Sequence, residues 1–219
     1  MPTSEELQKL NEELFEIVSE QLQSKDWTTC HTHQGIQVEK KIYENHKSKS
    51  PVYRATCYIP TTCQEVVASF ENIERRVSWG TELEEMKMIT PEGDLKLPSN
   101  ATIVYSKTKS QFGGMISPRD FIDLSCIKVN QEDGSHWIYY QSIELDQMPH
   151  HPHVVRGFNH AAGTLAVPHG KGSMVTVSLH VDIGGSIPSW VMNSATPNAV
   201  ANLLHGLKSH IIKIGKNTE

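Results

Sequence analysis

Two histidine-rich segments carry the residue types that bind metals. Residues 30–33 read Cys-His-Thr-His and residues 150–153 read His-His-Pro-His, and thiolate and imidazole are ligands that zinc prefers. The second segment lies in a proline-containing loop without a nearby acidic or cysteine partner, and His31 and His33 fall on a short predicted strand. We therefore expect no resident metal ion at either segment.

Motifs for covalent chemistry are missing from the sequence. It contains no GxSxG, HExxH, GxGxxG or phosphate-binding GxxxxGKS/T pattern. We therefore expect no catalytic residues, no cofactor and no enzymatic activity, so that the function rests on binding.

An Arg-Asp pair stands at the start of a predicted strand. Residues 116–124 read ISPRDFIDL, in which Pro118 disfavours a helix at Ser117 and the following Phe, Ile and Leu favour a strand. An Arg and an Asp at the mouth of a strand more often pair with backbone or with each other than with a ligand. We predict a structural role for Arg119 and Asp120.

Helical spacing occurs at both ends of the chain. Thr3 and Glu6 predict a capping box, and apolar residues at helical spacing extend the first helix to about residue 23. A second apolar stripe recurs over residues 188–214, near the other end. Pro197 lies inside this stripe and removes one backbone hydrogen bond, which predicts a kink.

The middle of the chain is rich in β-forming residues. Residues 173–183 alternate apolar and polar side chains, residues 52–59 are β formers between two prolines, and residues 154–167 are predicted as one strand. A short helix is predicted over residues 65–70. Glycine-containing turns join neighbouring strands, which favours antiparallel pairing.

Composition and charge narrow the class of partner. The 219 residues include 37% hydrophobic and 21% charged residues, typical of one soluble domain. A formal charge of −5 disfavours nucleic acid, because phosphate binding needs a basic surface. The acidic N-terminal segment resembles neither a secretory signal nor a mitochondrial presequence, and the four cysteines show no disulfide pattern. We expect a cytoplasmic monomer that binds no nucleic acid.

Two of these segments resemble motifs of one known family. The ISPRDFIDL segment resembles the SPRDF(V/I)DL segment of StAR-related lipid-transfer (START) domains, and residues 155–160 (VRGFNH) resemble the soluble sterol-carrier branch. The order of predicted elements agrees from Trp27 to the last helix. The resemblance implies an α+β helix-grip fold over residues 1–219, with a curved antiparallel sheet of about nine strands around the C-terminal helix and a lipid cavity between them.

The resemblance also implies where a ligand lies. Ser106 and Ser125 match the positions of a buried acid–base pair in the steroidogenic member, so the cavity is expected to be neutral and to suit a lone sterol hydroxyl. Asn159 matches another polar lining position. The hydrocarbon is expected against three further residues: Trp79, Val191 and Ala195. Gly80 departs from the family pattern, because relatives usually have an Asp after this tryptophan.

A lid is implied by the same resemblance. Phe112 and Met115 are apolar residues beside Gly113 and Gly114, which free the backbone of the loop. An apolar residue at a flexible loop tip beside a cavity can enter a bilayer when the lid opens. We predict transient membrane contact through these four residues, with loop 110–118 and the last helix moving together.

The expected function is non-vesicular intracellular transfer of one cholesterol-like sterol between membranes. Two alternatives from other classes remain. The domain could bind, store or sense another hydrophobic ligand, such as a bile-acid-like steroid, a carotenoid or a phospholipid. It could also be an enzyme of the wider helix-grip superfamily, although the catalytic motifs are missing.

Overall fold

The computed structural model describes residues 2–44, 48 and 50–216, apart from the side chains of Phe112 and Ser189. Within these residues there are four α-helices: α1 (Ser4–Gln23), α2 (Cys63–Glu71), α3 (Ile73–Trp79) and α4 (Ser189–Lys216). The described strands are β1 (Thr28–His33), β2 (Ile36–Lys41), β3 (Val52–Ile59), β4 (Leu83–Ile89), β5 (Ala101–Thr108), β6 (Arg119–Val129), β7 (His136–Ser142), β8 (Val155–Arg156), β9 (Phe158–Asn159), β10 (Ala162–His169), β11 (Gly172–Leu179) and β12 (Val181–Asp182).

Nine of the described strands form one continuous antiparallel path, in the order β1-β2-β3-β11-β10-β7-β6-β5-β4. The short β8 adds to β6 in parallel, and β9 pairs with β12 in a separate ribbon. The large antiparallel sheet and the long C-terminal helix confirm the predicted α+β helix-grip fold.

The prediction of one strand over residues 154–167 is wrong. The segment contains β8, β9 and β10, which pair with β6, β12 and β7 respectively. A chain with three successive partners must change direction between them. Gly157, between β8 and β9, lets the backbone pass close to Phe121, since a Cβ there would overlap the ring.

The first helix covers the outer face of the sheet. Its predicted capping box is confirmed: Glu6 N donates to Thr3 Oγ1 at 3.2 Å and Thr3 N donates to Glu6 Oε2 at 2.7 Å. One side of α1 buries four apolar residues in a core shared with β5, β6, β7 and β10, namely Leu7, Leu14, Val18 and Leu22. Tyr139 Oη also donates to Asn11 Oδ1 at 2.9 Å, which fixes the helix to β7.

The last helix packs on the other face, but mainly on one half of the sheet. The α4 helix contacts β1, β2, β3 and β11, where Leu204, Leu207 and Ile211 enter a core with Val38 and Val177. It runs unbroken through Pro197. Because α4 lies on this half, the inner faces of β4 to β7 are not filled by the helix.

Candidate functional site

The unfilled half of the sheet bounds a cavity of about 560 Å³. Apolar side chains from β4 to β7, β11 and α4 supply much of its wall, among them Met86, Val104, Phe121, Ile138, Leu179 and Leu203. The volume lies within the range of about 300–1,000 Å³ that is usual for small-molecule sites. The cavity can therefore enclose an elongated apolar ligand.

Strand alternation brings the predicted polar residues to the cavity wall. Ser106 on β5, Ser125 on β6 and Asn159 on β9 all line the cavity. Alternate residues of a strand point to opposite faces, so on β6 Phe121 and Ser125 face the cavity while Leu124 joins the outer core. Across the part of the chain that the structure describes, neither serine hydroxyl has a hydrogen-bond partner, so both are available to a ligand.

The residues expected against the hydrocarbon do not all reach the cavity. Ala195 lines it from α4, whereas Val191 is fully buried against Ile116 behind the wall. Trp79 also lies behind the wall: its ring meets Phe70 at 5.3 Å between centroids and its Nε1 donates to Ser69 O at 3.1 Å. The structure thus groups Ala195 with the polar residues and separates Trp79 and Val191 from them.

The glycine after Trp79 has a packing role. The guanidinium of Arg76 lies 4.2 Å from the Trp79 ring centroid, and its Nη2 donates to Glu82 Oε1 at 2.7 Å. A Cβ at Gly80 would stand 1.9 Å from Arg76 Nη1. Gly80 therefore makes room for the arginine that covers the tryptophan.

The expectation of a neutral cavity is wrong, because Asp123 lies on its wall. Its Oδ1 accepts a hydrogen bond from Ser142 Oγ at 2.7 Å, and its Oδ2 accepts one from Asn159 Nδ2 at 2.9 Å. Burial raises the pKa of this carboxyl to about 6, against the lowering effect of the two hydrogen bonds. Asp123 precedes Ser125 by two residues, so the alternation that placed Ser125 on the wall could have revealed it.

Tyr140 is a second polar residue that the sequence interpretation missed. It lines the cavity from β7, opposite Ser125 in the register of β6 and β7. Burial, and then the charge of Asp123, raise the pKa of its phenol above the ordinary value. Tyr140 therefore keeps its proton and can donate a hydrogen bond into the cavity.

The predicted lid has glycines in the left-handed region and one exposed apolar residue. Gly113 and Gly114 have φ values of 63° and 95°, which a residue with a Cβ rarely adopts. Met115 is 52% exposed, whereas the side chain of Phe112 lies outside the described residues. Trp190, in the first turn of α4, is 62% exposed. Its position next to the apolar stripe of α4, and not within it, is a sequence signal that could have predicted this exposure.

Arg119 ties the lid loop to the segment before α4. Its Nη1 donates to the carbonyl and to the hydroxyl of Ser117, while its Nε donates to Ile183 O at 3.0 Å and its Nη2 to Gly184 O at 3.3 Å. Asp120 instead receives two hydrogen bonds from Arg156, at 2.8 and 3.0 Å. The two halves of the Arg-Asp pair therefore hold different segments and do not bind each other.

The START domain family model matches residues 7–215, nearly the whole chain. The chain belongs to the START domain family. Human StAR-related lipid transfer protein 6 is 24% identical over 202 residues, covering 89% of this START domain and 88% of the relative. Bovine StAR-related lipid transfer protein 5 is 31% identical over 142 residues, covering 63% of each chain. The solved structure of human StAR-related lipid transfer protein 5 superposes with a TM-score of 0.84 at 22% identity, covering 95% of this chain and 98% of that one.

Two further observations concern this START domain as a whole. Among its described helices, none combines the length and the apolar character needed to cross a bilayer. Among the described residues, no three His, Cys, Asp or Glu side chains lie close enough together to bind a metal ion. His31, one of the histidines noted in the sequence, instead has its Nε2 at 2.8 Å from Asn198 Oδ1 on α4.

Proposed function

We propose that this START domain is a lipid carrier that binds one cholesterol-like sterol in the cavity and exchanges it between membranes. The observation that carries the proposal is the cavity of about 560 Å³, whose apolar wall is interrupted by a few polar side chains. Burying a few hundred Å² of sterol surface at about 25 cal/mol/Å² contributes on the order of 10 kcal/mol before ordering costs. The relatives named as lipid transfer proteins support the same class of function.

The polar end of the sterol meets Ser106, Ser125 and Asn159 in this proposal, and its hydrocarbon lies against Ala195. A buried hydroxyl without a partner costs about 1–3 kcal/mol, and the two serine hydroxyls remove that cost directly or through water. Trp79 and Val191 act from behind the wall, by fixing the residues that the ligand touches.

Exchange requires the lid to open at a membrane. Ile116 of the lid loop packs against Val191 of α4, so the exposed neighbours Met115 and Trp190 sit on two elements in contact. Apolar side chains at such a position favour insertion at the interface of a bilayer. The proposal includes Phe112, Gly113 and Gly114 as the remainder of this membrane-contacting loop, and a monomer that works from the cytoplasm.

The first test identifies the bound lipid. Mass spectrometry of lipids that copurify with the protein is expected to find a sterol. A phospholipid, a carotenoid or an acidic steroid at stoichiometric level would replace the sterol proposal with one of those ligands.

The second test separates transfer from storage. Sterol transfer between donor and acceptor liposomes is measured for wild type, Met115→Asp and the control Val129→Asp, an exposed residue at the far end of β6. Transfer should fall at least several-fold in Met115→Asp alone, with sterol affinity unchanged in both variants. Tight binding with no transfer by wild type would identify a store or sensor.

A further inference from the structure

The carboxyl of Asp123 is an acceptor that the protein only partly satisfies. An ionised carboxylate has about four lone-pair sites. Ser142 Oγ binds Oδ1 and Asn159 Nδ2 binds Oδ2, one donor to each oxygen. The residue lies on the cavity wall, so the remaining acceptor capacity is available to a ligand.

The donors around Asp123 hold it in a fixed position. Ser142 is its register partner on β7, and the same Ser142 Oγ accepts from Asn159 N at 2.8 Å, which ties β9 to the group. Asn159 Nδ2 uses one of its two N–H donors on the carboxylate, so Asn159 both orients Asp123 and keeps polar atoms for a ligand. A preorganised acceptor of this kind discriminates between ligands because it cannot turn away.

We propose that Asp123 selects ligands whose polar end is an uncharged hydrogen-bond donor, such as a sterol hydroxyl, over ligands that end in a ketone, a sulfate, a phosphate or a carboxylate. The inference rests on the proposed sterol binding and adds the selectivity of that site. A hydroxyl donates to the carboxylate, whereas a ketone oxygen meets it as a second acceptor. An anionic group adds repulsion between like charges in surroundings of low dielectric.

The size of the effect follows from the chemistry of buried polar sites. A site built to bind one hydroxyl strongly rejects an analogue that leaves its buried polar group unpaired. Because Ser106 and Ser125 can still donate to a ketone, we expect a preference of about tenfold, which corresponds to about 1.4 kcal/mol.

The test compares cholestanol, the matching ketone cholestanone, and cholestanol sulfate on the intact protein. Dissociation constants are measured for wild type, for Asp123→Asn and for the control Asp94→Asn, an exposed aspartate in the loop before β5. Asparagine keeps the size of the side chain but adds an amide that donates to a ketone. The hydroxyl-over-ketone preference should vanish or reverse in Asp123→Asn and persist in the control.

The outcomes separate this inference from the proposed function. An unchanged preference in folded Asp123→Asn would overturn the role of Asp123, even if sterols bind well. Failure of wild type to bind any of the three steroids would overturn the proposed function itself.

A measurement without substitution of Asp123 covers the case in which that variant does not fold. The preference of wild type should weaken as pH falls from 8 to 5, because the protonated carboxyl can donate to a ketone. Other charged or titratable groups that line the cavity are Arg76, Arg119, Glu71, Glu82 and Tyr140.

Ser142→Ala tests whether Asp123, and not one of these other groups, causes the pH effect. The substitution removes a hydrogen bond that favours the ionised form of Asp123, so the midpoint of the change should move to higher pH. A pH-independent preference in wild type, or a midpoint that stays in place in Ser142→Ala, would refute the inference.

Discussion

Replacing Arg119 by lysine should loosen the lid while keeping a positive charge at this position of the cavity wall. The arginine reaches two segments at once, binding Ser117 in the lid loop and the carbonyls of Ile183 and Gly184 before α4. A lysine ammonium is a compact charge on a flexible stem and cannot span both segments as a planar fork does. Arg119→Lys therefore keeps the charge and removes the tie.

The magnitude follows from the hydrogen bonds that are lost. Hydrogen bonds to charged groups contribute about 1.5–3 kcal/mol each, and lysine is expected to forfeit the pair on one of the two segments. We expect a loss of about 3 kcal/mol between the closed and open lid. Since about 1.4 kcal/mol corresponds to a factor of ten, the open population should rise roughly a hundredfold.

The assay is stopped-flow release of a fluorescent sterol into excess acceptor liposomes, combined with urea unfolding. Arg54→Lys is the matched control. Arg54 is a half-buried arginine that donates to the carbonyls of Leu22 and Ser24 at 3.1 and 2.8 Å and to Glu39 Oε2 at 2.8 Å, and it lies away from the cavity wall. Both variants should lose stability, but only Arg119→Lys should release sterol faster, by tenfold or more.

Two results would refute this reasoning. One is equal acceleration of release in both variants, which would mean that general loss of stability controls release. The other is an unchanged release rate in Arg119→Lys despite lower stability, which would mean that the contact between the lid loop and the segment before α4 does not limit opening.

Three further substitutions test the packing and the electrostatics. Gly80→Ala should lower the free energy of unfolding by about 1–3 kcal/mol in urea titrations, because its Cβ would overlap Arg76 Nη1; an unchanged value would mean that the arginine moves away without cost. Tyr139→Phe should cost about 1–3 kcal/mol by the same assay, because Asn11 Oδ1 loses its donor, and a neutral result would show that water replaces the hydroxyl. The folded-state pKa of Asp123 is raised from 3.8 to about 6, so its favourable contribution is present at low pH and is lost as pH rises through about 4 to 6. Relative to Asp123→Asn, wild type should therefore lose about 2 kcal/mol of stability between pH 4 and pH 7, and a difference that does not vary with pH would contradict the burial of the charge.

The family resemblance pointed to Ser106 and Ser125, and strand periodicity explains why both lie on the cavity wall. Ser106 and Ser125 occupy cavity-facing positions because side chains on β5 and β6 alternate between faces, and this alternation survives the details of packing. Asp123 follows from the same rule and was missed because interpretation centred on the two positions that the resemblance highlighted.

The direction in which a helix side chain points, and the partners with which a strand pairs, were harder to predict from the sequence. Trp79 ends a short helix, and whether it faces the cavity or the core depends on Phe70, Arg76 and the close approach of Gly206 on α4. Residues 154–167 contain enough β formers for one strand, but three different pairing partners divide them. Such outcomes depend on contacts between residues distant in sequence, which a local pattern does not encode.

The cavity itself could not be derived from periodicity. An apolar helix stripe facing an apolar sheet predicts a filled core equally well. The open volume exists because α4 packs on β1, β2, β3 and β11 and leaves the inner faces of β4 to β7 uncovered.

The two faces of β6 have a consequence for how ligand preference can diverge among descendants of this chain. Ile122, Leu124 and Cys126 stabilise the layer beneath α1, whereas the residues between them, such as Asp123 and Ser125, border open space. A substitution at a wall position without hydrogen bonds, such as Ser125, leaves the outer core in place and removes few packing contacts, so its cost in stability is small. Substitutions on the cavity face of β6 can thus change which ligand is bound, while the outer face keeps the core that the fold needs.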